Sequence, residues 1–85
     1  MKIRILLYAG LREAVGSREI EMELPGPLTP LEIAERLAAQ YPRLGPHLKT
    51  LAFAVDGEFV PARVVLTQAR ELALLPPVSG GEQST

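Results

Sequence analysis

Few side chains in this sequence can perform chemistry by themselves. There is no cysteine, which removes any thiolate nucleophile, persulfide carrier, disulfide or soft metal site. The single histidine, His47, has no serine–histidine–acid set to go with it and reads as a solvated residue in a proline-flanked loop. Glu19, Glu21 and Glu23 alternate with Ile20, Met22 and Leu24, so they form one wet strand face and not a pair of acid–base carboxylates. What remains is the run Pro76-Pro77-Val78-Ser79-Gly80-Gly81, followed by Glu82-Gln83-Ser84-Thr85. Two prolines enforce an extended path, and the four residues after them reach ~13 Å when drawn out. A glycine pair has no Cβ, so such an arm fits a tunnel that any side chain would block. The group it would deliver is a carboxylate at Gly81. On composition alone, the same residues also read as a frayed polar end.

Size and charge bound the alternatives. The 85 residues make one domain, near the lower limit for a core that folds unaided. A hydrophobic content of 47% is ordinary for a globular chain and too high for a disordered one. Nine basic and ten acidic side chains leave a net charge of −1 without a run of one sign, so neither nucleic acid nor a membrane surface is expected as the main partner. No apolar run approaches the ~20 residues of a membrane span. The start, Met1 to Tyr8, is too short and too charged for a signal peptide, and a cytoplasmic location is expected. A chain with so few catalytic groups takes part in chemistry as a substrate, a carrier or an accessory subunit.

The elements that must position the arm follow from periodicity. Residues 2–9 read as a strand with Ile3, Ile5 and Leu7 on one face and Lys2, Arg4, Leu6 and Tyr8 on the other. Residues 10–17 read as a glycine-bounded loop with room for one helical turn. Residues 19–24 form the cleanest strand, stopped by Pro25-Gly26-Pro27. Thr29-Pro30-Leu31-Glu32 is a helix start, with a capping hydroxyl, proline at the first position and glutamate three residues on. Ile33, Ala34, Leu37, Ala38 and Tyr41 follow at helical spacing until Pro42 ends the helix. Residues 43–50 read as a loop with a short turn. Leu51 to Val55 form a strand, Asp56-Gly57 signals a hairpin, and Phe59-Val60 follow, with Pro61 marking an edge or a bulge. Val64-Val65-Leu66 and Glu71 to Leu75 read as the last strand segments. The order predicts an α+β two-layer domain over residues 1–75, in which one main helix packs across a mixed sheet of four to five strands. First and last strands lie parallel at its centre, and residues 76–85 form a flexible tail.

The ending Pro76-Pro77-Val78-Ser79-Gly80-Gly81, read with Leu6-Leu7-Tyr8-Ala9-Gly10-Leu11-Arg12-Glu13-Ala14-Val15-Gly16, resembles the molybdopterin synthase small subunit (MoaD) family of ubiquitin-like sulfur-carrier proteins. The likeness spans residues 1–81, and the strand order matches that family's β-grasp. The resemblance implies the following. A partner enzyme adenylates the Gly81 carboxylate with ATP, and a sulfur donor converts it to a thiocarboxylate. The tail, Pro76 to Gly80, then inserts into the large synthase subunit, where the sulfur helps build the molybdopterin dithiolene. No cofactor is bound by the carrier itself. The chain departs from the family by continuing through residues 82–85 after the glycine pair. A peptide bond after Gly81 cannot be adenylated, so the resemblance requires a protease to trim those residues. A divergent role or a regulatory tail is the alternative.

Strand parity suggests where partners dock. With Ile3, Ile5 and Leu7 facing the helix, Leu6 and Tyr8 point outward. With Leu72 and Leu74 inward, Glu71, Ala73 and Leu75 point outward. Tyr8, Leu75 and Phe59 are then apolar near the root of the tail, a pattern expected of a protein contact or of scattered surface apolars. Arg12 matches an arginine of the resembled family and would pair with an acidic group on a partner. Sulfur donation to thiamine, cysteine or tRNA thiolation, a ubiquitin-like modifier joined to lysines, and a plain interaction module remain as alternatives.

Overall fold

The computed structural model describes residues 1–76; residues 77–85 lie outside the described residues. The first strand, β1 (Lys2–Leu7), buries Ile3, Ile5 and Leu7 and leaves Lys2 and Arg4 exposed, as a period of two requires. It ends two residues earlier than periodicity predicts, because Ala9 turns to φ 51 and starts a short helix, α1 (Gly10–Val15). The helical turn expected within this loop is a helix of six residues. Leu11 and Val15, four residues apart, are buried on one side of it, and Gly16 at φ 87 closes it by donating its N–H to Arg12 O at 2.7 Å. A positive φ at a helix end is where glycine costs least. The chain returns as β2 (Glu19–Glu23), antiparallel to β1. Its glutamates are exposed, while Ile20 and Met22 are half-buried against the core.

The main helix, α2 (Pro30–Gln40), begins as predicted. Thr29 Oγ1 accepts from the Glu32 N–H at 3.1 Å, and Glu32 Oε1 accepts from the Thr29 N–H at 2.9 Å. This reciprocal pair satisfies two amides that helix geometry leaves orphaned. Ile33, Ala34 and Leu37 are fully buried beneath the sheet. Beyond Tyr41, residues Pro42–Thr50 form a 3₁₀ helix and not the expected loop. Its prolines 42 and 46 cannot donate to an α-helical ladder, yet Leu44 is completely buried and Leu48 packs against the core. The tighter helix reconciles the two.

The second hairpin, β3 (Ala52–Val55) and β4 (Glu58–Val60), turns on Asp56 and Gly57 at φ 48 and φ 90. Two left-handed residues give the turn whose twist matches paired strands. The run Val64-Val65-Leu66, read above as a strand, is not one. It makes a single bridge, Leu28 to Leu66, and Val64 and Val65 are 37% and 60% exposed. The five places in the sheet are taken by other segments, β4 at one edge and the last strand, β5 (Glu71–Leu75), inside. The order is β2-β1-β5-β3-β4, with β1 and β5 parallel in the middle. The helices cover one face of this sheet, and every buried residue of the core is hydrophobic among the described residues.

Candidate functional site

The uncovered face of the sheet carries the site. Registers place Leu6 beside Ala73, Ala73 beside Ala54, and Ala54 beside Phe59. One row thus crosses four strands as Leu6–Ala73–Ala54–Phe59. Two alanines at its centre leave a hollow between larger walls, and Tyr8 and Leu75 close it at the end where β5 leaves the sheet. The hollow has a volume of about 270 Å³ and is also lined by Asp56, Gly57 and Glu71. Tyr8 is 46% exposed and Phe59 75%. Exposed aromatics gathered on a shallow apolar surface are unusual for a face that water alone would cover.

A charged strip borders the hollow. Arg4 Nη1 donates to Glu71 Oε2 at 2.9 Å, and Arg4 Nε lies 3.4 Å from Glu19 Oε2, so one guanidinium links β2, β1 and β5. Asp56 Oδ1 accepts from the N–H groups of Arg70 and Glu71 at 3.1 and 2.9 Å, which ties the hairpin turn to the start of β5. Arg4, Asp56, Gly57, Arg70 and Glu71 line a larger polar depression of about 660 Å³. Its charges answer one another, so the neighbouring apolar hollow is the stronger site for a partner.

Tyr8, Phe59 and Leu75 are therefore brought together by the fold, along with Leu6, Ala54 and Ala73. Ala54 is absent from the sequence reading, although its alternation with buried Phe53 signals it. Arg12 is exposed on α1 and is not among the residues lining the hollow. Pro76, half-buried, follows β5 at the end of the sheet that carries Tyr8. Pro77, Val78, Ser79, Gly80 and Gly81 lie outside the described residues. Among the described residues no group of acidic, histidine or cysteine side chains is placed to hold a metal, and no helix is long and apolar enough to cross a membrane. The hollow is apolar and open, and it lies at the end of the sheet where β5 finishes at Leu75.

A five-stranded mixed sheet with parallel central strands, crossed by one helix and open on its other face, defines a ubiquitin-like β-grasp domain. The ThiS family model matches residues 5–81, and the chain belongs to the ThiS family. The match ends on Gly81, leaving residues 82–85 outside it. A molybdopterin synthase sulfur carrier subunit of Chlamydomonas reinhardtii is 32% identical over 83 residues, covering 95% of this chain and 100% of that one. SAMP1 of Haloferax volcanii superposes with a TM-score of 0.77 at 26% identity, covering 95% of this chain and 100% of that one. A complex of subunits 1 and 2 of molybdopterin-converting factor from Helicobacter pylori matches with a TM-score of 0.64, covering 95% and 100% at 17% identity; at that identity it shows the fold alone.

Proposed function

We propose that this chain is the sulfur carrier subunit of a molybdopterin synthase, carrying sulfur as a thiocarboxylate on Gly81 after residues 82–85 are removed. The observation that carries the reading is the family match over residues 5–81, which ends on the glycine whose carboxylate would react. The relatives' names support it, and so does a chain without cysteine, since a thiocarboxylate stores sulfur without a thiol side chain.

In this reading a protease first frees the Gly81 carboxylate. One of its oxygens attacks the α-phosphorus of ATP on an adenylating partner, and pyrophosphate leaves. A sulfur donor then displaces AMP, forming the thiocarboxylate. The apolar hollow of Tyr8, Phe59 and Leu75 docks the activating enzyme and the large synthase subunit in turn, while Pro76 to Gly80 span the distance to each active site. The name of the Chlamydomonas reinhardtii relative, a sulfur carrier subunit of molybdopterin synthase, supports a large-subunit partner. Catalytic and nucleotide-binding groups belong to the partners, and the work is expected in the cytoplasm.

Intact-mass spectrometry of the protein from its native cells tests this. The expected species ends at Gly81 and carries one sulfur in place of one oxygen. A chain that keeps Glu82 while molybdenum cofactor is being made would overturn the reading. The likeness to SAMP1, named a small archaeal modifier protein, supports a second reading as a protein modifier. Gly81 found in isopeptide linkage to other proteins would favour it.

A further inference from the structure

The strand order leaves β2 and β4 as the edges of the sheet, and the longer of them is β2, with five residues against three. In an antiparallel pair, facing residues alternate between those that exchange both backbone bonds and those that exchange none. The phase of the β1–β2 ladder is set at its ends. Met1 N donates to Leu24 O at 2.8 Å, Leu24 N to Met1 O at 2.7 Å, and Leu7 N to Arg18 O at 2.9 Å. Moving inward by twos makes Ile3–Met22 and Ile5–Ile20 the other bonded pairs. The N–H and C=O groups of Glu19, Glu21 and Glu23 therefore point away from β1, and among the described residues no strand pairs with that side of β2.

The side chains along this open ladder sort by face. Glu19, Glu21 and Glu23 are exposed on the uncovered face. Arg4 Nε lies 3.4 Å from Glu19 while its Nη1 is held by Glu71, and the Met1 amine lies 3.9 Å from Glu23. Glu21, at the centre, has no ion pair among the described residues. Ile20 and Met22 lie on the opposite face, packed against the core and only half-buried.

We propose that the β2 edge accepts an extended strand of a partner protein in which basic and apolar residues alternate. The guest runs antiparallel, the more stable pairing. Its basic residues lie opposite Glu19, Glu21 and Glu23 and exchange both backbone bonds with them, and its apolar residues cover Ile20 and Met22. In such strand addition main-chain bonds supply the affinity and alternate side chains the selectivity. A second copy of this chain is the wrong occupant. Two antiparallel β2 strands would set Glu21 against Glu21 and Glu19 against Glu23, and like charges directly opposite each other destabilise a ladder. β5 lies two strand spacings from this edge, about 10 Å, so a guest here leaves Ala73, Ala54 and Phe59 of the hollow uncovered. The two surfaces can be occupied at once.

The test titrates the full chain with a capped Lys-Val-Lys-Val-Lys peptide to millimolar concentration and follows the protein amides by NMR. The expected result is saturable shifts along residues 19–23. Hydrogen exchange should slow at the Glu19, Glu21 and Glu23 N–H groups and stay unchanged at Ile20 and Met22, which already bond to β1. A Glu-Val-Glu-Val-Glu peptide should not bind. Neither should the lysine peptide N-methylated at every lysine, which keeps the charge and loses the donors. Glu21→Lys turns an attraction into a repulsion at the central pair and should weaken binding on the order of tenfold. Absence of saturable binding, equal binding of the glutamate or N-methylated peptide, or shifts centred on Leu6, Ala73 and Phe59 would overturn the proposal. So would slowing of the same three amides by raising the protein concentration alone, which would mean self-pairing. The N-methylated comparison uses the unsubstituted chain, so the outcome does not depend on the folding of Glu21→Lys, which circular dichroism reads.

Discussion

Truncating Phe59 to alanine separates a role in docking from a role in folding. Phe59 lies on β4, an edge strand of three residues, and three-quarters of its surface is free, at 75% exposure. A phenylalanine presents on the order of 200 Å², so about 150 Å² is left to bury against a partner. At ~25 cal/mol per Å² the ceiling is about 4 kcal/mol. Ordering the ring and imperfect fit remove roughly half, leaving about 2 kcal/mol, or a ~30-fold rise in Kd. The folded monomer should lose no more than about 0.5 kcal/mol, because little of the ring is buried within it. Isothermal titration of the chain ending at Gly81 against the large synthase subunit reads the first quantity, and urea denaturation reads the second. An affinity within twofold of the unsubstituted chain, with folding intact, would refute the assignment of this hollow as the docking surface.

Two further substitutions probe what holds the site in place. Leu74→Ala empties a fully buried position between Leu7 and Phe53 and should cost about 2–5 kcal/mol; in a domain this small, urea denaturation should show a large part of total stability lost. Asp56→Ala removes the Oδ1 that accepts from the Arg70 and Glu71 N–H groups and should cost about 1–3 kcal/mol. Asp56→Asn keeps an acceptor and tolerates the positive φ, so it should retain most of the stability, and hydrogen exchange at residues 70 and 71 should rise in the alanine variant only.

The elements legible in the sequence are those decided locally. The capping box at Thr29 and Glu32 forms because four consecutive residues carry all its atoms. The Asp56-Gly57 turn forms because those two residues accept a left-handed backbone. The alternation of β1, β2 and β5 is legible because one face is covered and the other is wet. Val64-Val65-Leu66 misleads because its apolar, branched side chains suit a strand, but the segment turns back on itself, Val64 N–H donating to Pro61 O, and bridges only at Leu66 to Leu28. The 3₁₀ helix over residues 42–50 is hidden by its prolines, and only the burial of Leu44 explains it.

The sequence by itself determined which reactive groups exist: no thiol, few amines, and a glycine pair without side chains. Those are matters of composition and local backbone freedom, and no packing alters them. The tertiary structure alone decided what stands next to what. Arg4 meets Glu71 across 67 positions, and Leu6, Ala73, Ala54 and Phe59 share a row, because β5 inserts between β1 and β3 in a definite register. Such pairings depend on how every strand shares one core, since a slip of one residue would turn each buried side chain to the solvent face.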